Sequence, residues 1–183
     1  MRADYRVFLD ACALANFGVC DLLLRLSERP RLIVPHWSAE VLAETRRTQV
    51  EKLGWPPELA ESFQTKTREA FPDAEVAGYE SLLPALSNDP KDRHVLAAAI
   101  RSNCPLILTF NLKHFPVEAL KPWDICASHP QDYLLVLYEM ERQQVAACLG
   151  EIAGKRKIEV QDVLIRLGKT LPSFAQRLLD DLG

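Results

Sequence analysis

Apolar positions recur along the first two thirds of the chain in two periods, short continuous runs and helical stripes. Arg6-Val7-Phe8-Leu9 reads as a buried strand closed by Asp10. Leu14, Phe17, Leu22, Leu23 and Leu26 predict one helix over residues 13–28. Arg31-Leu32-Ile33-Val34 reads as a second strand, ended by Pro35. Ser38 is the expected N-cap of a helix running to about Leu53, with Gly54 at its C′ position. A further helix is expected over 57–70, a short strand over 75–79 and a helical turn over 81–86. Asn88-Asp89-Pro90-Lys91-Asp92 starts the next helix, with Asp89 as N-cap, Pro90 at N1 and Asp92 at N3. Val95, Leu96, Ala99 and Ile100 form its buried stripe. Residues 106–110 read as a strand ending at Asn111, and 124–127 as another. Strands alternating with helices imply right-handed βαβ units and a parallel sheet flanked by helices.

After His129-Pro130 the strand signal stops. Helical patterns cover 132–153, 160–167 and 174–182, with a polar break at Gly154-Lys155-Arg156-Lys157. The expected architecture is α/β, with residues 1–129 as a sheet domain and 130–183 as an all-helical C-terminal extension. The chain has 183 residues, 48% of them hydrophobic and 26% charged, which excludes disorder as its main state. No apolar run approaches the roughly 18–20 residues of a membrane span. The start, Met1-Arg2-Ala3-Asp4, has no signal-peptide character. The five cysteines are widely spaced without a CxxC pair, so neither a disulfide framework nor a thiolate zinc site is expected, and a reducing cytoplasm is. A net charge of −3 argues against bulk electrostatic coating of nucleic acid.

The candidate chemistry is acidic. In a parallel sheet, ligands gather at the carboxyl ends of the strands. Asp10 closes the first strand. Thr109 and Asn111 close the third clear one, and Asp89 and Asp92 open the helix that feeds it. Asp92 precedes Val95 and Leu96 by three and four residues, so it shares their inward face. Glu44 lies three after Val41 and seven after Trp37, away from a polar face of Arg46, Arg47 and Gln49. Carboxylates there need compensation, which a helix N-terminus and a metal ion supply. An oxygen-only set suits Mg²⁺ or Mn²⁺ rather than zinc, and such ions support phosphodiester hydrolysis. Each acid also has an ordinary reading as a cap, a turn or a solvated helix residue. Glu40 is read as solvated, and His36, His94 and His129 as surface or packing residues. No nucleophile triad and no Gly-rich phosphate loop is present. A haloacid-dehalogenase reading requires an acid where Cys12 stands.

Four segments carry a resemblance: Val7-Phe8-Leu9-Asp10-Ala11-Cys12, Trp37-Ser38-Ala39-Glu40-Val41-Leu42-Ala43-Glu44, Asp89-Pro90-Lys91-Asp92-Arg93-His94-Val95-Leu96, and Leu108-Thr109-Phe110-Asn111-Leu112-Lys113-His114-Phe115. Together they resemble a PIN domain of the VapC-type toxins, over roughly residues 5–128. The tail resembles a C-terminal extension of one subset. The resemblance implies a metal-dependent endoribonuclease of a toxin–antitoxin pair, with RNA as substrate, an antitoxin as partner, and a homodimer as a further state to consider. It matches Asp10, Glu44 and Asp92 to the metal-binding acids, Asn111 to a polar residue at the same edge, and Thr109 to a strand-end hydroxyl. His114 departs from the pattern, because the family often carries an acid there. Asp89 assisting, His114 ligating or orienting water, a single tight metal, and a plain surface role for His114 are the open alternatives. A degenerate PIN scaffold that binds RNA or protein without cutting is the competing reading. Lys91, Arg93, Arg46, Arg47 and Lys113 are the candidates for steering a phosphate backbone.

Overall fold

Val7, Phe8 and Leu9 are fully buried because their strand, β1 (Arg6–Leu9), is the middle one of a five-stranded sheet. The computed structural model describes residues 5–28 and 31–182. The N-terminal Met1-Arg2-Ala3-Asp4 segment therefore lies outside the described residues. The other strands are β2 (Val34–Ser38), β3 (Glu75–Val76), β4 (Leu106–Leu108) and β5 (Cys126–Ser128). Every pairing is parallel, in the order β3-β2-β1-β4-β5. Helices α1 (Ala11–Ala15), α2 (Phe17–Glu28), α3 (Ala39–Glu51), α4 (Pro57–Ala70), α5 (Arg93–Arg101) and α6 (Val117–Leu120) connect them. The chain ends in α7 (Pro130–Met140), α8 (Arg142–Arg156), α9 (Val160–Gly168) and α10 (Pro172–Leu182). This is the expected PIN-like α/β fold with a helical extension. No described helix is long and apolar enough to cross a membrane.

The second strand lies further along than expected. Pro35 is inside β2 rather than at its end. Along a parallel strand, successive residues bond to opposite neighbours. Val34 donates to Tyr5 O next to β1, whereas Trp37 donates to Ala74 O on the β3 side. Pro35 faces that same β3 side, before the pairing of β3 with Trp37 and Ser38 begins, so its missing N–H costs no ladder bond. The helix expected over 13–28 is two helices, with Asn16 between them. Its side chain accepts from Val19 N–H at 3.3 Å and its carbonyl from Cys20 N–H at 2.8 Å. The long C-terminal helix also breaks, at Glu141 (φ −134°, ψ 47°). Gly154, Lys155 and Arg156 continue α8, and Lys157 ends it in the left-handed region at φ 53°.

Ser38 caps α3 as expected, accepting from Val41 N–H at 3.2 Å. Gly54 takes φ +68°, two residues beyond the C-cap Lys52. Asp89 accepts from Lys91 N–H at 3.0 Å and opens a 3₁₀ turn over Pro90–Asp92, so Asp92 stands at the entry to α5 instead of inside it. Residues of α2, the sheet, α5 and the C-terminal helices belong to one buried apolar cluster, which includes Leu22, Phe8, Leu96, Leu149, Leu164 and Phe174.

Candidate active site

The strand order reverses direction between β1 and β4, and connections leave those two strands toward opposite sides. That leaves a crevice at their carboxyl ends. Asp10 and Thr109 stand there. Asp10 is 3% exposed, and its carboxylate is held by three donors: Ala11 N–H to Oδ1 at 2.6 Å, Thr109 O–H to Oδ2 at 2.6 Å and Cys12 S–H to Oδ2 at 3.2 Å. The Thr109 hydroxyl accepts from Asn111 N–H at 3.0 Å, which directs its own proton at Asp10. Burial, with the Asp10 charge adding to it, pushes the Cys12 thiol up to about 12. Cys12 is therefore a protonated donor and not a nucleophile.

Asp92 meets His114 across the crevice, with Oδ2 at 2.6 Å from Nδ1. Oδ1 has no hydrogen-bond partner among the described residues. Burial raises the Asp92 pKa, the Asp10 carboxylate raises it further, and His114 offsets part of the rise. The surface role considered for His114 is thus replaced by a direct contact with an acid. A turn after β4 brings it there: His114 N–H donates to Asn111 O at 2.9 Å, and Asp89 N–H donates to His114 O at 3.3 Å. Asp89 adds charge beside Asp92 while its own carboxylate caps the turn. The Asn111 side chain is exposed, and its backbone, not its amide, joins the network.

Glu44 is half-buried on α3, and its nearest basic neighbours are His94 Nε2 at 3.5 Å and Arg47 at 4.0 Å. Gln49 is fully buried, so it does not belong to the polar face that Arg46 and Arg47 form. Of the surface and packing readings, His94 takes the packing one, buried and turned toward Glu44 and Glu40. Burial works against its charged form, but the Glu44, Glu40 and Asp10 carboxylates outweigh that and hold its pKa above the ordinary 6.5. Glu40, Glu44 and His94 each offer a donor atom within 4.8 Å of the others'. Sequence reading set Glu40 and His94 aside. The i, i+4 spacing of Glu40 and Glu44 was visible, but their partner on α5 was not.

Over 135 residues the chain is 39% identical to the protein named Putative ribonuclease VapC50 of Mycobacterium tuberculosis, across 72% of this chain and 78% of that one. The chain belongs to the VapC-type PIN-domain family. No family model matches the chain, and no solved structure does. The crevice between β1 and β4, lined by Asp10 and approached by Asp92 from α5, is accordingly the candidate active site of a VapC-type PIN domain.

Proposed function

We propose that this chain is a Mg²⁺- or Mn²⁺-dependent endoribonuclease, the toxin of a toxin–antitoxin pair, working in the cytoplasm. The observation that carries the reading is the approach of Asp92 to the buried Asp10 at the switch point of the sheet, near enough for the Asp10 charge to raise the Asp92 pKa, with each carboxylate fixed by a polar partner. The donor chemistry, oxygen atoms of carboxylates, suits a hard dication, while among the described residues Asp10, Glu44 and Asp92 do not gather within 4.8 Å of one another. Asp92 retains a free carboxylate oxygen, and Glu44 is reached by nothing closer than 3.5 Å among its basic neighbours. Asp10, Glu44 and Asp92 would hold the ion, with Asp89 adding negative charge nearby. Bound there, the ion supplies an activated water and stabilises the leaving oxygen of a phosphodiester.

The chain's own groups do the rest. Ala11 N–H, Thr109 and Cys12 hold the Asp10 carboxylate in place, so that it reorganises little during reaction. His114 orients Asp92. Arg47, Lys91 and Lys113 are exposed beside the crevice and suit phosphate contacts, whereas Arg46 is shared with Glu61 at 3.3 Å. Arg93 donates to Asn88 O at 3.3 Å and is more a positioning group. We assign the chemistry to residues 1–129 and treat 130–183 as a supporting extension. An antitoxin segment carrying a basic side chain would suit the acidic crevice.

The test is RNA cleavage by the purified protein in Mn²⁺, in excess EDTA and after Asp92→Asn. Cleavage is expected to stop in chelator and to fall about a hundredfold or more in the variant. Undiminished cleavage in either case sinks the mechanism.

A further inference from the structure

His94 lies beside the acids of the proposed reaction but has no part in it. It is 5% exposed, and neither ring nitrogen has a hydrogen-bond partner among the described residues. Buried polar atoms in native proteins are nearly always satisfied, so an unpartnered imidazole asks for a ligand. The ring is turned toward two carboxylates. Nε2 stands 3.5 Å from Glu44 Oε1, and Nδ1 stands 3.7 Å from Glu40 Oε2. Charge-assisted N–H···O bonds run at about 2.7–2.9 Å, so at these distances the carboxylates attract the ring without closing a hydrogen bond to it. The two gaps lie at opposite ring nitrogens, of which one ion can take only one; with a single donor atom from each residue, the three lie within 4.8 Å of one another, near enough for small side-chain rotations to bring them onto one ion. Donor atoms about 2.1 Å from a metal stand roughly 3.0–3.5 Å apart in octahedral or tetrahedral geometry. Glu40 and Glu44 are one turn apart on α3, which sets both carboxylates on the face turned to α5. Tyr79 O–H reaches Glu40 Oε2 at 3.4 Å and steadies that side chain.

We propose that Glu40, Glu44 and His94 form a site with one nitrogen and two oxygen ligands for a first-row transition dication, taking Mn²⁺ or Zn²⁺ in preference to Mg²⁺. Mg²⁺ binds through oxygen and keeps its waters, so a buried imidazole gives it nothing. Mn²⁺ accepts nitrogen, and affinity for such a donor rises across the first row. The proposal deepens the nuclease reading and rests on it through Glu44, which the two sites share. His94 and Glu40 would then select the ion that the acidic edge receives.

The test uses the full chain and Mn²⁺ alone. Pulsed EPR of the Mn²⁺-loaded protein is expected to show the ¹⁴N modulation of a directly bound imidazole, lost in His94→Gln. His114 is the other histidine at the crevice, so modulation that persists in His94→Gln overturns the proposal. So does Mn²⁺ that binds without modulation, or no binding at all. Should His94→Gln fail to fold, the exposed Glu40→Gln decides. Its Mn²⁺ affinity is expected to fall about tenfold with Mg²⁺ affinity little changed, and an unchanged Mn²⁺ affinity overturns the site. RNA cleavage in Mg²⁺ separates the two readings. Chelator-sensitive cleavage without ¹⁴N modulation leaves the nuclease standing and removes this site. Modulation without cleavage in any ion does the reverse.

Discussion

Asp10 depends on Thr109 more than on any other side chain. A carboxylate this deep is tolerated because donors replace its water, and the Thr109 hydroxyl is one of the two shortest at 2.6 Å. Thr109→Val keeps the shape and removes the donor. It is expected to cost about 1–3 kcal/mol in urea unfolding, the range for stranding a buried acceptor. A loss below about half a kcal/mol would mean that Ala11 and Cys12 suffice. Asp10 and Asp92 were legible in the sequence because an acid at a strand end, or ahead of an apolar stripe, betrays its direction locally. The partners of Glu40, His94 and His114 were not. Each meets its partner across the fold, α3 to α5 or turn to helix, and no local period records such a meeting.

Strand β2 shows what element-level patterning reads and where it fails. By pattern Pro35 reads as a terminator, yet it is a strand residue whose absent N–H falls where no neighbour waits. The helix break at Asn16 had a visible signal in a residue suited to capping. The break at Glu141 had none, since no Pro or Gly stands there. Tertiary packing accounts for it: α7 packs on α10, while α8 packs on α2 and α9. β2 also carries His36, whose pKa burial lowers below 6.5, with Arg6 adding to the effect. The unfolded chain therefore takes up this proton first as pH falls, so the residue costs stability progressively below about pH 6.5 and nothing well above it. His94, held above 6.5, acts in the opposite sense: its contribution is present at low pH and lost as pH rises through its folded value. Comparing the protein with His36→Leu isolates the first effect. Between pH 7.5 and 5.5 the variant is expected to lose less urea stability than the parent, and equal losses would remove His36 as a source of acid sensitivity.

At the scale of the whole molecule, the division at residue 129 read from the sequence marks a change in secondary structure. Whether it is also a thermodynamic boundary depends on what crosses it. Arg156 on α8 reaches Asp21 on α2 at 2.6 Å and lies over the Phe17 ring at 5.3 Å. Asn16 donates to Thr170 Oγ1 at 3.2 Å. A Cβ added to Gly18 would stand 3.3 Å from Leu167 Cδ2, so α2 and α9 approach closely. With the apolar cluster continuous through α2, α8 and α9, the helical extension covers α2 as a lid of core, and removing it would expose that helix to water. Such coupling predicts one cooperative unfolding step. The sequence offers a clean way to see it. Trp37, Trp55 and Trp123 all precede residue 129, so tryptophan fluorescence follows the part of the chain that carries the sheet, while far-UV circular dichroism also follows the four C-terminal helices. The two urea curves are expected to superimpose, and a dichroism change that precedes or trails the fluorescence change would show that the extension unfolds on its own. In Arg156→Ala, which removes the Asp21 pair and the Phe17 contact together, both curves should move to lower urea by the same amount. A shift of the dichroism curve alone would place Arg156 within an independent tail rather than at the seam.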